Sequence, residues 1–159
     1  MKLDRTDFEI LRLLQGNARV SNKELADANG ISPSTCLERV KRLKNNGVLR
    51  GYHADVQPES LGIGVQAMIS LRLRQHAKIS FDAMIEEMMS TKEVINVYLL
   101  AGATDFLIHV AVEDVVHLRN VVVEKFSARF EVAHIETSLI FEFQKSNELP
   151  NYRASGLYF

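Results

Sequence analysis

The first 32 residues repeat one pattern three times, and this repetition constrains the fold more than any other feature of the chain. Each time, an apolar residue precedes an Asp or Ser whose side chain can cap the exposed N–H groups of a starting helix. The first two candidate caps, Asp4 and Ser21, have an acidic residue three positions later, and the third, Ser32, is followed by Pro33. An acid at that distance completes a capping box, and proline favours the first helical position. The pattern predicts helices near residues 4–15, 21–28 and 32–46.

The turn between the second and third predicted helices is very short, because only Asn29-Gly30-Ile31 separates them. Such a turn with a central glycine makes two helices cross steeply, which is the geometry of a helix-turn-helix. Gly16 and Gly47 are expected to end the first and third helices. Residues 48–56 are then predicted to form a strand that leaves this module, and residues 58–62 to form a linker.

The third predicted helix has one apolar and one polar face. At about 100° per residue, its apolar side carries Cys36, Leu37, Val40 and Leu43. The other side carries Ser34, Glu38, Lys41, Arg42 and Asn45, with Thr35 and Arg39 on the flank. A helix of this kind docks by its apolar side and presents the other side to the major groove of DNA. A solvated basic face is the plain alternative, but the three-helix frame favours DNA binding.

The predicted contacts with DNA divide into bases and phosphates. We expect Ser34, Thr35 and Glu38 to reach base edges, since they lie in the first turns of the helix. The two arginines of this helix are expected to contact a base or a phosphate. The full predicted set is Ser32, Ser34, Thr35, Glu38, Arg39, Lys41, Arg42 and Arg50. Residues 1–55 carry a net charge of +3 and the remainder −4, so a nucleic-acid role belongs to the first segment.

Composition argues against most catalytic and metal-binding classes. Cys36 is the single cysteine, which excludes a disulfide within the chain, and its place on the apolar side predicts a packed small side chain. The five histidines show no spacing typical of metal ligands. No nucleophile motif and no Gly-rich phosphate loop is present, so neither catalytic residues nor a cofactor are expected. No apolar run is long enough to span a bilayer, and a cytoplasmic protein is expected.

From Ile63 onward the hydrophobic period changes from that of helices to that of strands. The predicted strands are residues 63–74, 94–101, 106–112 and 133–143, and the predicted helices are residues 81–89 and 114–128. The order β-α-β-β-α-β is that of a ferredoxin-like unit.

The two predicted helices can cover only one face of that four-stranded sheet. The uncovered face would carry apolar residues among polar ones, namely Met68, Tyr98, Leu100, Leu107, Ala111 and Ile140 among His109, Ser70 and Asn96. So large an exposed apolar area is unusual in a monomer, and we expect two sheets to pack face to face in a homodimer.

Several spaced motifs resemble the leucine-responsive regulatory protein/AsnC family, over about residues 3–143. In the first segment they are Leu3–Leu11, Ala18–Ser21, Glu24–Ala26, Ile31–Leu43 and Gly47–Tyr52. In the second they are Gly102–Phe106, similar to the family's Gly-x-x-Asp loop, and Glu136–Ser138. The resemblance implies a feast/famine regulator whose C-terminal domains dimerise and assemble into rings of dimers. It also implies that an amino acid or related small metabolite binds between dimers.

The resemblance places an effector site at the Gly-x-x-Asp loop. Gly102, Ala103, Thr104 and Asp105 would hold the ligand's ammonium and carboxylate groups, with Thr137 as a candidate neighbour. Backbone N–H groups suit a carboxylate, and Asp105 suits an ammonium. The plain alternative is that Gly-x-x-Asp simply makes a good hairpin turn.

These features together predict an α+β protein with two domains. Residues 1–57 would form a winged helix-turn-helix domain, 58–62 a linker, 63–149 a ferredoxin-like (ACT-like) βαββαβ domain for effector binding and oligomerisation, and 150–159 a tail. The expected function is sequence-specific regulation of transcription, modulated by an amino acid or related small metabolite. Double-stranded DNA and further copies of the chain would be its partners, with no role for a membrane.

Two alternatives remain open at this point. The two-domain plan also resembles sirohaem decarboxylase subunits, in which the histidines and Arg72, Arg74 or Arg119 would bind the carboxylates of a tetrapyrrole. A shifted Soret band on mixing with sirohaem would favour that enzyme. The other alternative is a ligand-binding or scaffold protein whose helix-turn-helix no longer reads DNA. It predicts that cells keep full function when Arg39 and Arg42 are both replaced by alanine.

Overall fold

The computed structural model describes residues 1–74 and 80–153 of the 159-residue chain. Its contacts divide the chain into two compact units. Unit 1 comprises Met1–Asp55 with the described part of Gln144–Phe159, and unit 2 comprises Val56–Phe143. His76 and the last six residues of the predicted tail lie outside the described residues.

The three helices predicted for unit 1 are confirmed. They are α1 (Arg5–Gly16), α2 (Asn22–Asn29) and α3 (Pro33–Asn45). Gly30 ends α2 with φ of 62°, in the left-handed region that favours glycine. The short turn that this residue makes possible lets α3 begin directly beside α2, as the sequence predicted.

The predicted helix caps are also present. The Asp4 side chain accepts a hydrogen bond from the Asp7 N–H, and the Asp7 side chain accepts one from the Asp4 N–H. Ser21 and Glu24 form the same reciprocal pair at the start of α2. At the start of α3, the Ser32 hydroxyl accepts from the Thr35 N–H, and proline occupies the first turn. Each cap satisfies N–H groups that a helix start leaves without intrahelical partners.

The helices of unit 1 enclose a small apolar core, formed by Ile10, Leu14, Leu25, Ala26, Cys36 and Leu43. Cys36 is fully buried, as predicted, and burial raises the pKa of its thiol because the thiolate would lose its hydration. The prediction for Leu37 was wrong, since this side chain is 44% exposed. The buried stripe of α3 is narrow and consists of Cys36, Val40 and Leu43. Leu37 lies outside this stripe, so its side chain is exposed.

The prediction of a strand over residues 48–56 was wrong as well. Residues 51–57 have no regular secondary structure, and the segment before them is a turn. Val48, Tyr52 and Val56 are exposed. The sequence is suitable for a strand, but a strand also needs a neighbour for its backbone hydrogen bonds, and the described residues of unit 1 contain no other strand.

Unit 2 has the predicted β-α-β-β-α-β order. Its elements are β1 (Val65–Leu73), α4 (Phe81–Met89), β2 (Val94–Leu99), β3 (Phe106–Val112), α5 (Val115–Val121) and β4 (Val132–Leu139). A 3₁₀ turn at Pro58–Leu61 precedes β1, and α5 continues as a π-helical segment at Val122–Ser127. The sheet is antiparallel in the order β2-β3-β1-β4, and this order confirms the ferredoxin-like fold.

The last strand is shorter than predicted. Residues 140–143 continue the alternation of apolar and polar side chains, but β4 ends at Leu139. Its partner β1 begins at Val65, and the final link between the two is the hydrogen bond from the Ile140 N–H to the Gln66 carbonyl. Phe141 and Phe143 therefore lie beyond the sheet's paired region, and Phe141 is almost fully exposed.

The two faces of the sheet differ as the sequence predicted. The helix-covered face packs around Ile69, Phe106, Ile108, Met88 and Phe126, all fully buried. On the other face, the register places Met68 opposite His109, and Leu107 between Ser70 and Tyr98. Tyr98 and Leu100 are more than 40% exposed there. This face therefore keeps uncovered apolar area within the described chain.

His109 is buried on that otherwise open face, at 6% exposure. Its Nε2 lies 2.9 Å from the Gln66 Oε1, and the Phe143 ring packs edge-on against the imidazole. Burial lowers the pKa of His109, because the charged imidazolium would lose its hydration.

We expect this histidine to make the protein less stable as pH falls. A folded-state pKa below the unfolded value of about 6.5 means that the unfolded chain takes up a proton first. Stability is therefore lost once pH drops below that value, by at most about 1.4 kcal/mol per pH unit. Urea denaturation at pH 7.5, 6.5 and 5.5 should show a weaker pH dependence for His109→Gln than for the unmodified protein. Exposed His134→Gln is the control, and an equal change in both variants would contradict the assignment.

Gly64, just before β1, lies where a side chain cannot fit. A Cβ at this position would stand 2.5 Å from the Glu113 carbonyl oxygen, while the Gly64 N–H donates to the Val112 carbonyl. We expect Gly64→Ala to lower the free energy of unfolding by about 1–3 kcal/mol, because backbone on both sides must shift. Gly16→Ala is the control, since nothing lies within 4 Å of a Cβ there. Equal denaturation midpoints for the two variants would show that the contact at Gly64 relaxes freely.

Candidate functional site

Helix α3 is held by contacts at its first turn. The Asn22 side-chain amide of α2 donates to the Pro33 carbonyl at 2.7 Å, which joins the starts of the two helices. The Ser32 hydroxyl lies 2.9 Å from the Ser34 hydroxyl and 2.8 Å from that of Thr35. Three hydroxyl groups thus meet at the exposed start of α3. Each can rotate to donate or accept, so this cluster suits the mixed donor and acceptor pattern of base edges.

The outward side of α3 is polar and exposed, as predicted. Thr35, Glu38, Arg39 and Arg42 line a shallow depression of about 260 Å³. Ser34 and Lys41 are exposed beside it, and Arg50 is exposed beyond the helix. Among the described residues, no ion pair or hydrogen bond engages the side chains of Lys41 and Arg50. These two cations are therefore available to phosphates.

The two arginines of α3 are not free, which the sequence interpretation missed. Arg39 Nη1 donates to Asp4 Oδ2 at 2.7 Å and to Asp7 Oδ1 at 2.8 Å. Arg42 Nη2 donates to both carboxylate oxygens of Asp7, at 2.9 and 2.7 Å. Asp7 is fully buried, so its charge requires such partners. The only sequence signal was an acid at the third position of α1, and the capping box already accounted for it.

The pKa values of Asp4 and Arg39 reflect the same network. The pKa of Asp4 is lowered, chiefly by the hydrogen bond from the Asp7 N–H and then by Arg39. The pKa of Arg39 is raised, first by Asp4 and then by Asp7. Both shifts favour the charged forms, so Asp4 and Arg39 remain an ion pair at neutral pH.

Lys44 is engaged as well. Its Nζ lies 5.3 Å from the centre of the Tyr52 ring, at the distance of a cation–π contact. This contact joins the end of α3 to the segment that follows it. Lys44 therefore differs from Lys41, whose side chain no hydrogen bond or ion pair engages among the described residues.

The Gly-x-x-Asp loop connects β2 and β3, and its aspartate forms hydrogen bonds with the backbone of β1. Gly102 has φ of 133°, in the region that favours glycine. The Asp105 N–H donates to the Leu71 carbonyl at 2.9 Å, and one Asp105 carboxylate oxygen accepts from the Leu73 N–H at 2.7 Å. This oxygen thus satisfies a donor at the end of β1. Asp105 therefore supports the end of β1, and among the described residues no hydrogen bond is recorded for its other carboxylate oxygen.

The structure brings Gly102, Ala103, Thr104 and Asp105 together but places Thr137 elsewhere. Thr137 lies on β4 opposite Ile69, and β1 separates β4 from β3, where the loop ends. Thr137 and the loop are therefore not on neighbouring strands of the sheet. No cluster of three potential metal ligands occurs in residues 1–74 and 80–153, and no helix among them could cross a membrane.

Comparisons with known proteins agree on one family. A model described as winged helix-turn-helix DNA-binding matches residues 3–50, and one described as the Lrp/AsnC ligand binding domain matches residues 66–150. The HTH-type transcriptional regulator AldR from Mycobacterium tuberculosis is 47% identical over 141 residues, which are 89% of this chain and 79% of that protein. The leucine-responsive regulatory protein of Rhizobium meliloti is 32% identical, over 87% of this chain and 89% of its own.

Solved structures point to the same family. A transcriptional regulator from Neisseria meningitidis, determined as its L-Met complex, has a TM-score of 0.86 and 32% identity. The alignment covers 94% of this chain and 97% of that one. The matched proteins are transcription regulators rather than enzymes, so the tetrapyrrole alternative is set aside. The chain belongs to the Lrp/AsnC family and is a DNA-binding transcription regulator.

Proposed function

We propose that α3 enters the major groove and that its first turns read the DNA sequence. The hydroxyl cluster of Ser32, Ser34 and Thr35, together with Glu38, would face base edges, and Lys41 and Arg50 would contact phosphates. The observation that carries this proposal is the exposed polar side of α3, opposite a stripe buried against α1 and α2. Arg42 remains on this side despite its pairing, with 46% of its side chain exposed. Arg39 is included in the contacting set as predicted, with less of its side chain accessible.

The protein is proposed to act as a homodimer that assembles further. The apolar residues on the open face of the unit 2 sheet support such an association. Two recognition helices one turn of DNA apart, about 34 Å, would require a pseudo-palindromic site. Residues 1–57 are proposed as the DNA-binding part, 58–62 as the linker and 63–149 as the effector-binding and assembly part. We place its action in the cytoplasm, associated with the nucleoid.

An amino acid or related small metabolite is the proposed effector. The Neisseria meningitidis regulator that the chain resembles was determined with L-Met, and the ligand-binding family model covers residues 66–150. Gly102–Asp105 would hold the ligand's charged groups through backbone N–H donors and the unengaged oxygen of Asp105. Since β1 separates Thr137 from this loop, Thr137 would reach the ligand from a neighbouring subunit.

Fluorescence anisotropy tests the proposal. The probes are DNA from upstream of the protein's own gene and a scrambled duplex, at two salt concentrations, with and without the twenty amino acids. Tighter binding to the upstream DNA that weakens with salt is the expected result. A change on adding the amino acids would support the effector class. Equal binding to both duplexes, or none at low salt, would overturn sequence-specific recognition and favour a scaffold role.

A further inference from the structure

The pairing of Arg42 with Asp7 joins an exposed side chain of the recognition helix to a fully buried carboxylate. Both carboxylate oxygens of Asp7 accept from the same nitrogen, Arg42 Nη2, at 2.9 and 2.7 Å. The Asp7 side chain has no exposed area, whereas that of Arg42 is 46% exposed. The guanidinium is therefore anchored through Nη2 on a side chain that remains partly exposed.

The anchored guanidinium keeps donors for a further partner. Arginine has five N–H groups in a planar fork, and the contacts to Asp7 use only those on Nη2. Among the described residues, no acceptor is recorded for Nη1 or Nε of Arg42. The acceptors of a guanine edge, O6 and N7, are the major-groove partners that arginine contacts most often.

Arg39 has a different role in the same network. Its Nη1 is shared between Asp4 and Asp7, its side chain is 23% exposed, and its Nε is buried without a partner. Two cations thus meet the buried charge of Asp7, which offsets the free energy of removing that carboxylate from water. Arg39 neutralises the charge of the Asp7 carboxylate, whereas the Arg42 side chain extends toward solvent.

The position of Arg42 relative to the other α3 residues supports a reading role. Arg42 lines the same depression as Thr35 and Glu38, two residues proposed to face bases. A long side chain at such a place would ordinarily reach the nearest phosphate, because the phosphates surround the groove and attract every mobile cation. An arginine that is already held in one orientation loses less entropy on binding and contacts a base with defined geometry.

We propose that Asp7 is a positioning residue for DNA recognition: its buried carboxylate holds the Arg42 guanidinium on the outward side of α3, so that Arg42 reads a guanine instead of a phosphate. The inference rests on the proposed contact of α3 with the major groove. It assigns a role in specificity to a residue of α1 that itself touches no DNA.

The test compares sequence discrimination with salt dependence. A duplex selected by the unmodified protein from a randomised pool serves as the specific probe, and a scrambled duplex as the non-specific one. Asp7→Asn keeps the size of the side chain and an oxygen acceptor but removes the charge that holds Arg42. We expect the ratio of specific to non-specific affinity to fall at least about tenfold. The freed Arg42 should meanwhile bind phosphate, so the non-specific log–log salt slope should steepen by about 0.9.

Glu9→Gln is the matched control. It makes the same charge change on α1 and frees Arg12, whose ion pair with Glu9 is exposed and does not involve α3. We expect this variant to keep the discrimination ratio. Retained discrimination in Asp7→Asn would overturn the inference, and so would a parallel loss of affinity for both duplexes, which indicates a merely structural role.

A second variant guards against the case in which Asp7→Asn does not fold. Arg42→Lys keeps the positive charge on an exposed side chain but lacks the planar fork. It should lose discrimination by a similar factor, and full discrimination in this variant would overturn the inference. If the unmodified protein selects no sequence from the pool, the proposed DNA reading fails first, and the role of Asp7 fails with it.

Discussion

Reversing two charges, Lys41→Glu together with Arg50→Glu, is expected to weaken DNA binding on the order of a hundredfold and to change its salt dependence. Both side chains are exposed, and no acidic partner engages them within the described residues. Each is proposed to displace one condensed counterion from the DNA backbone, and each lost phosphate contact reduces the log–log salt slope by about 0.9. The combined variant should therefore have a slope smaller by about 1.8.

Anisotropy titrations at four salt concentrations measure both quantities. The loss should be similar on specific and scrambled duplexes, because phosphate contacts carry no sequence information. Lys92→Glu together with Lys125→Glu is the matched control, since it makes the same charge change at exposed positions of unit 2. An equal loss in the control pair would mean that overall charge, rather than the proposed DNA-binding face, governs affinity.

The features that the sequence predicted well are those that depend on neighbours along the chain. The caps at Asp4, Ser21 and Ser32 form between residues three positions apart, so a local pattern contains all the information that they require. The strands of unit 2 were recognised for a similar reason, because side-chain alternation records which face is buried. The buried state of Cys36 followed from its place on the apolar side of α3.

The features that the sequence did not predict depend on partners far along the chain. Asp7 and Arg42 are 35 positions apart, and the capping box gave Asp7 a sufficient local explanation. The alternation of apolar and polar residues indicates which face of a sheet each side chain would take, but not whether the backbone pairs with a neighbouring strand. The alternation therefore continues through Phe143, although β4 ends at Leu139. The exit segment at residues 48–56 has a strand-like composition without a strand beside it.

The candidate sites show the same division. The exposed face of α3 was predicted from helical spacing, and the structure places those residues on one side. For Asp105, however, two functions compete for one carboxylate: it supports the end of β1 through the Leu73 N–H and is also proposed to attract an ammonium. Substitutions that separate these two functions therefore decide whether the loop is a ligand site or only a turn.

Asp105→Asn is expected to abolish the response to the effector while leaving the fold intact. The asparagine keeps an oxygen that can accept from the Leu73 N–H, so the free energy of unfolding should change by less than about 1 kcal/mol. It loses the negative charge that would pair with the ligand's ammonium. Thermal unfolding of the unmodified protein with each of the twenty amino acids should reveal a ligand that stabilises it. Asp105→Asn should bind that ligand at least about tenfold more weakly.

Asp105→Ala and Asp82→Asn complete the comparison. Alanine leaves the Leu73 N–H without its acceptor, so this variant should lose both the response and about 1–3 kcal/mol of stability. Asp82 is exposed in the first turn of α4 and outside the loop, and its substitution should preserve both. A full ligand response in Asp105→Asn would show that the carboxylate serves the turn alone. If Asp105→Asn instead loses the ligand response and keeps its stability, the charge of Asp105 serves ligand recognition and its hydrogen bond to the Leu73 N–H serves the fold. The asparagine removes only the charge and keeps an oxygen for that hydrogen bond.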